Sequence, residues 1–266
     1  MDNINDILNS IKDFPAMPNV IMRALNLMKD PETGTKKLAE IISFDQSLST
    51  KVLTLVNSAY YGFPQQITSI HRALALIGMS KAKNIIFTVA MRPMLTNQSD
   101  KELWKHSIRT AVGCEHLAKH LKIMDPDEAF VIGFLHDLGK MILYMKDSAL
   151  CLKIRDLTSN GADVIESERL FFKTDHCQTG SLLAKKWQLP LLIANAIKYH
   201  HTPSLSPMPA ACTLVYIIDR LVQDNFDADK LDQKAIETLN IKIEQPEILR
   251  ERIFEKANVL LNELST

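Results

Sequence analysis

Glycine is scarce in this chain, with 8 among 266 residues against an average usage of about 7%. Few turns and long periodic segments follow. Paired cysteine is missing: Cys114, Cys151, Cys177 and Cys212 lie far apart with no C-x-x-C spacing. That argues against a disulfide framework or a thiolate zinc ribbon, and for reduced thiols in a cytosolic protein. Neither charge sign is in excess. Lys+Arg and Asp+Glu both total 31, for a formal net charge of +0, which removes the electrostatic term that non-specific nucleic-acid binding depends on. No apolar run is read as approaching the roughly 18 residues of a membrane span. The start, Met1-Asp2-Asn3-Ile4-Asn5-Asp6, is acidic and lacks the apolar stretch of a leader. The expectation is a soluble cytoplasmic protein with no membrane partner.

What is present is apolar periodicity. A hydrophobic content of 46% suffices for one large core or two modest ones, and the reading is all-α with two helical lobes. Helices are predicted over residues 4–13, 19–29, 70–77 and 81–91, the last stopping before Pro93, with Thr35, Asp45, Ser69 and Ser80 as capping residues. The polar run Asn97-Gln98-Ser99-Asp100 is the predicted boundary, giving an N-terminal helical lobe over 1–97 and a C-terminal bundle over 98–266. In the second half, helices are predicted over 101–121, from Pro126 into His136-Asp137, over 141–157 and 164–172, and from His176 to near Trp187. Further helices start at Leu189-Pro190 and span 208–222, with two polar ones over 227–266.

Two short helices carrying Leu38, Ala39 and Ile42, then Leu48, Ser49 and Val52, have the outline of a helix-turn-helix. A DNA-reading second helix must present polar and basic side chains, and from Gln46 to Asn57 there is only Lys51. Core packing of a helical domain is the better account, and DNA is not an expected partner.

The chemistry concentrates around Val131-Ile132-Gly133-Phe134-Leu135-His136-Asp137-Leu138-Gly139-Lys140. A carboxylate among so many apolar residues needs a partner, and a divalent metal is one that neutral imidazole and carboxylate together accept. Adjacent helical residues point about 100° apart, so His136 and Asp137 need ligands from other helices. Glu102 and His106 share a helical face at i,i+4. His116 and His120 have the same spacing, but near Lys119 and Lys122 they read as solvated surface. His176, the pair His200-His201, and Asp219 within an apolar helix complete an ordered set. Lys140, three residues past Asp137, is placed to reach a carboxylate or an anionic substrate oxygen.

His106, His136-Asp137 and Asp219 resemble the H…HD…D signature of the HD superfamily of metal-dependent phosphohydrolases. His176 in His-x-x-x-Gly, His200-His201 and Lys140 resemble the HD-GYP subgroup of cyclic-di-GMP phosphodiesterases, some of which hold a third metal with a glutamate placed as Glu102 is. After His200-His201 the sequence departs from that subgroup, with Thr202-Pro203-Ser204-Leu205-Ser206-Pro207 in place of Asp-Gly-x-Gly-Tyr-Pro. Other motifs are similar to the HDOD family, the HD-related output domain of bacterial signalling proteins. They are Phe14-Pro15-Ala16-Met17-Pro18, Asp45-Gln46-Ser47-Leu48, Asn57-Ser58-Ala59-Tyr60-Tyr61-Gly62, Ala75-Leu76-Ile77-Gly78, Trp104-x-His106-Ser107 and Trp187-x-Leu189-Pro190, within roughly residues 10–225.

The resemblance implies a regulatory module of bacterial signal transduction that acts through a protein partner or a nucleotide second messenger. It further implies one or two divalent ions, iron, manganese, zinc or nickel, and no organic cofactor. The ligands would be Glu102, His106, His136, Asp137, His176, His200, His201 and Asp219. The alternative it implies is a phosphohydrolase or phosphodiesterase in which Asp137 and Lys140 serve the reaction, Lys140 neutralising charge on the phosphate.

Overall fold

In the computed structural model of the protein, residues 15–28, 35–96, 101–224, 226, 237–239 and 245–265 are described. Every regular element among them is a helix. The predicted helix at 4–13 and the predicted lobe boundary at 97–100 lie outside the described residues.

Helices α1 (Asn19–Met28), α2 (Thr35–Ser43) and α3 (Gln46–Val56) gather around α4 (Ile70–Thr96). Each turns its apolar stripe inward, Leu38, Ala39 and Ile42 from α2 and Leu48, Val52, Leu55 and Val56 from α3, as a 3.6-residue period requires. Asp45 caps α3 by accepting the Leu48 N–H at 2.9 Å. Asn57 then clamps the connection to α4. Its amide nitrogen donates to the carbonyls of Leu53 and Ile67, and its oxygen accepts the Ile67 N–H.

Helix α4 departs from expectation near its end. Gly78 (φ 78, ψ 172) divides it into two helical stretches, as expected, but the second runs on through Pro93 instead of stopping before it. The proline forfeits one backbone hydrogen bond in the last turns, while Met91 and Leu95 on either side stay buried. By length and composition α4 is apolar enough to cross a membrane, with a mean hydropathy of 1.3 over its best window, a run passed over in the sequence. It serves as a core helix here, since 56% of that window is buried and Gly78 breaks the axis.

The second half is built on the pair α5 (Lys101–Leu121) and α6 (Pro126–Leu135), with α12 (Pro209–Leu221) and α13 (Pro246–Ser265) laid against α5. Helices α7 (Leu138–Lys146), α10 (His176–Lys186) and α11 (Leu191–Tyr199) stack beside them, α10 touching both α7 and α11. Helices α8 (Ser148–Ser159) and α9 (Val164–Phe172) cover a small second cluster of Leu143, Tyr144, Cys151, Ile154 and Phe172.

The predicted continuous helix over 141–157 is two helices. Asp147 is extended (φ −159, ψ 98), and its carboxylate accepts the Leu150 N–H at 2.9 Å, starting α8. Of the two polar helices predicted over 227–266, the first lies mostly outside the described residues. The second, α13, is amphipathic, burying Ile253, Ala257, Leu260 and Leu264. One apolar core runs from Ile21 to Leu264. The face of α3 that a DNA reader would offer to bases, Gln46, Thr50, Lys51 and Thr54, borders a groove shared with Glu263 and Leu264 of α13.

Candidate metal centre

The helical path breaks at a single residue between α6 and α7, since His136 keeps helical dihedrals (φ −53, ψ −37), and this lets neighbouring side chains converge. His136 ends α6 and Asp137, at φ −95 and ψ 15, precedes α7. His136 Nδ1 donates to the Gly133 carbonyl at 2.7 Å. His200, at the end of α11, repeats the device with Ile197 O at 2.8 Å. A carbonyl oxygen only accepts, so Nδ1 of both rings carries the proton and Nε2 is left facing the centre. His176 opens α10, where buried Glu168 of α9 takes both its backbone N–H and its Nδ1–H on one oxygen, at 2.8 and 2.7 Å. Orientation by an acceptor behind the ring is how ligating histidines are held.

Two positions result, and Asp137 joins them. At the first, His106 Nε2 of α5 lies 3.2 Å from His136 Nε2 and 3.0 Å from Asp219 Oδ1 of α12. Asp137 Oδ2 is 3.2 Å from His136 Nε2 and 3.5 Å from His106 Nε2. At the second, His176 Nε2 is 3.2 Å from both His200 Nε2 and His201 Nε2. Asp137 Oδ1 stands 3.3 and 3.7 Å from His176 and His200. That oxygen is buried without a hydrogen-bond partner.

A buried carboxylate oxygen without a hydrogen-bond partner, facing imidazole nitrogens, is suited to a cation, so the residues fit a divalent metal. The donor set is imidazole and carboxylate, suited to zinc, iron, manganese or nickel.

The electrostatics agree. Burial raises the Asp137 carboxyl, but His136 and Lys140 outweigh it and hold the group well below its usual range. Asp219 is held down likewise, against burial, by His106 and His136. Burial lowers His136, yet the Asp137 and Asp219 carboxylates lift it to about 9. His176 is raised well above its usual value despite burial, through Glu168 first. Burial and the surrounding imidazoles push His200 well below its usual value, and His201 to about 3.

A proton on His136 therefore stands where a metal would replace it. Metal binding is expected to release protons and to weaken as pH falls below about 9, by roughly tenfold per unit for each proton displaced. Calorimetric titration in buffers of different ionisation enthalpy reads the proton release directly. An affinity flat between pH 6 and 9 would contradict it.

Of the sequence candidates, His106, His136, Asp137, His176, His200, His201 and Asp219 come together. Lys140 Nζ lies 2.7 Å from Asp137 Oδ2. Glu102 lies outside the buried cluster, its side chain 58% exposed and its carboxylate 2.6 Å from Lys105 Nζ. His120 is exposed and His116 half-buried. Glu168 was missed in the sequence, though its signal was present as an acid in an i,i+4 stripe between Val164 and Phe172. Cys177 was also missed. Its sulfur lies 3.9 Å from His200 Nδ1.

Comparison with known proteins gives the chain a family. Residues 14–203 match the HDOD domain family model, which leaves Asp219 placed by geometry alone. An uncharacterized protein of Treponema pallidum is 27% identical over 213 residues, covering 76% of this chain and 40% of that protein. The cyclic di-GMP phosphodiesterase CdgJ of Vibrio cholerae is 25% identical over 124 residues, 46% of this chain and 28% of that protein. The chain thus spans less than half the length of these curated relatives. The crystal structure of an HDOD domain protein of unknown function from Geobacter sulfurreducens superposes with a TM-score of 0.75 over 97% of this chain and 91% of the other, at 22% identity. That likeness carries the fold. The family match, running through both the helices around α4 and the helices that hold the histidines, makes this chain a member of the HDOD domain family.

Proposed function

We propose that the chain is a bacterial signalling output module whose working element is a dinuclear HD-type metal centre that binds a phosphorylated ligand or passes its occupancy on to a protein partner. The observation that carries the reading is Asp137 Oδ1, buried, partnerless and 3.3 Å from His176 Nε2. His106, His136, Asp137 and Asp219 would hold one ion, and Asp137, His176, His200 and His201 a second. Such ions would supply Lewis acidity toward a phosphoryl oxygen and would acidify a water. Lys140 holds Asp137 ionised and, at 28% side-chain exposure, keeps a charge within reach of an anionic ligand. Glu168 fixes the His176 tautomer.

A second reading, phosphodiester hydrolysis, is favoured by this same pairing of two metal positions with a partly exposed lysine. The test is metal analysis of the purified chain followed by turnover of bis-p-nitrophenyl phosphate. About two equivalents of metal without turnover support the output module. Turnover that falls at least tenfold in Lys140→Met with metal retained supports hydrolysis. A chain that takes up no divalent metal at pH 8 sinks both.

A further inference from the structure

Beside the second metal position lies a cleft of about 350 Å³, walled by α9, α10, α11 and the turn that follows. His201 and Cys177 line it, so it reaches the histidine cluster from outside. Its apolar wall is Ile165, Leu182 and Leu205, and its polar wall includes Gln178, Tyr199 and Thr202.

The cations are the informative feature. Arg169 is engaged, with Nε 2.9 Å from Asp175 Oδ2 and Nη1 3.4 Å from Glu166. Lys185 of α10 and Lys198 of α11 line the same cleft without a carboxylate partner among the described residues. The Lys198 ammonium rests 4.8 Å above the Tyr199 ring. The one carboxylate in the lining, Asp175, is buried and committed to Arg169, Gln178 and the start of α10.

The geometry points to a binding site for a phosphomonoester of mononucleotide size, its phosphoryl group between Lys185, Lys198 and His201 and its organic part against Leu182, Leu205 and Tyr199. Two ammonium groups without a carboxylate partner among the described residues match a dianion. The volume sits at the small end of the roughly 300–1,000 Å³ that small-molecule sites span, which fits one nucleotide better than a cyclic dinucleotide. The inference rests on the phosphoryl-directed reading of the metal centre, and it adds the ligand class and the residues that select it.

The test is calorimetric binding of 5′-GMP to the full chain with its metal content recorded, with guanosine and cyclic di-GMP as comparisons. The expected result is 1:1 binding of GMP, with guanosine at least about tenfold weaker for want of the charged contacts. The double variant Lys185→Met, Lys198→Met should lose at least about tenfold in GMP affinity, with melting temperature and metal content unchanged. Lys185→Arg, Lys198→Arg should recover most of the loss. No GMP binding by metal-containing wild-type protein overturns the site. So does equal binding by the methionine variant, or tighter binding of cyclic di-GMP than of GMP. GMP binding through the two lysines in a chain that takes up no metal overturns the metal-centre reading while leaving the cleft in place.

Discussion

Asp137→Asn is expected to empty both metal positions in one step. Asp137 gives Oδ2 to the His106–His136 position and Oδ1 to the His176–His200 position, so one side chain supplies an oxygen to each. An asparagine fills the same space but offers one weak oxygen donor and an N–H₂ that faces inward. Loss of a partner behind a ligand costs about 10–100-fold in metal affinity, and loss of a ligand shared by two ions should cost at least that. Occupancy should drop from about two equivalents to background.

The stability readout follows from linkage. A metal at about 1,000 times its dissociation constant adds about 4 kcal/mol, or roughly 8–16 °C in melting temperature at 2–4 °C per kcal/mol for a chain of this length. The wild-type protein should show that rise on metal addition, and the variant almost none. His120→Ala, on an exposed position, should behave as wild type. Unchanged metal content in Asp137→Asn would dispose of the bridging role.

The metal-free comparison has its own sign. Asp137 is held below its ordinary carboxyl range, so its contribution to stability is present above the unfolded value near 4 and is lost as pH falls through the depressed folded value. His136, lifted to about 9, contributes fully below its ordinary value near 6.5 and loses that contribution as pH rises through about 9. Removing the Asp137 charge removes the first contribution and part of the second. The variant's deficit should be greatest between about pH 4 and 6.5, where both contributions are fully present.

The ligands were legible because their chemistry clashes with their surroundings. Two carboxylates and five imidazoles in apolar helices have few other reasons to be there, and chain order was enough to group them. Where helical spacing was asked to do more, it failed in identifiable ways. Glu102 and His106 do share a face at i,i+4, but Glu102 stands in the first turn, where Lys105 pairs with it in solvent. His136 and Asp137 were expected to diverge by about 100°. Both reach the centre because the backbone turns at Asp137 (φ −95, ψ 15) while His136 stays helical, and periodicity does not encode a one-residue break inside an apolar run. Asp147 was absorbed into a long helix for the same reason, although its side chain caps the next one.

Least legible was the role of the scarce glycines, and the largest effect on folding is expected there. Gly139 of α7 and Gly180 of α10 cross backbone against backbone. A Cβ on Gly139 would overlap the His176 carbonyl and come within 2.7 Å of the Gly180 nitrogen, and a Cβ on Gly180 would come within 2.7 Å of the Gly139 nitrogen. Backbone atoms cannot rotate away, so the helices themselves must separate. Overpacking a core costs about 1–3 kcal/mol, and this contact belongs at or above the upper end. Gly139→Ala should therefore lower the melting temperature by roughly 6–12 °C.

It should also weaken metal binding, because this crossing brings Asp137 to within 3.3 Å of His176. Gly113→Ala is the informative contrast. Its Cβ would meet Ile218 Cγ2 at 2.5 Å and Ile253 Cδ1 at 3.1 Å, side-chain ends that can turn, and the gain in helix propensity of about 1 kcal/mol offsets the crowding. The two substitutions add the same methyl group to the same kind of buried helix, so a Gly139→Ala protein that melts with Gly113→Ala and keeps its metal would show that α7 and α10 are not locked together at Gly139.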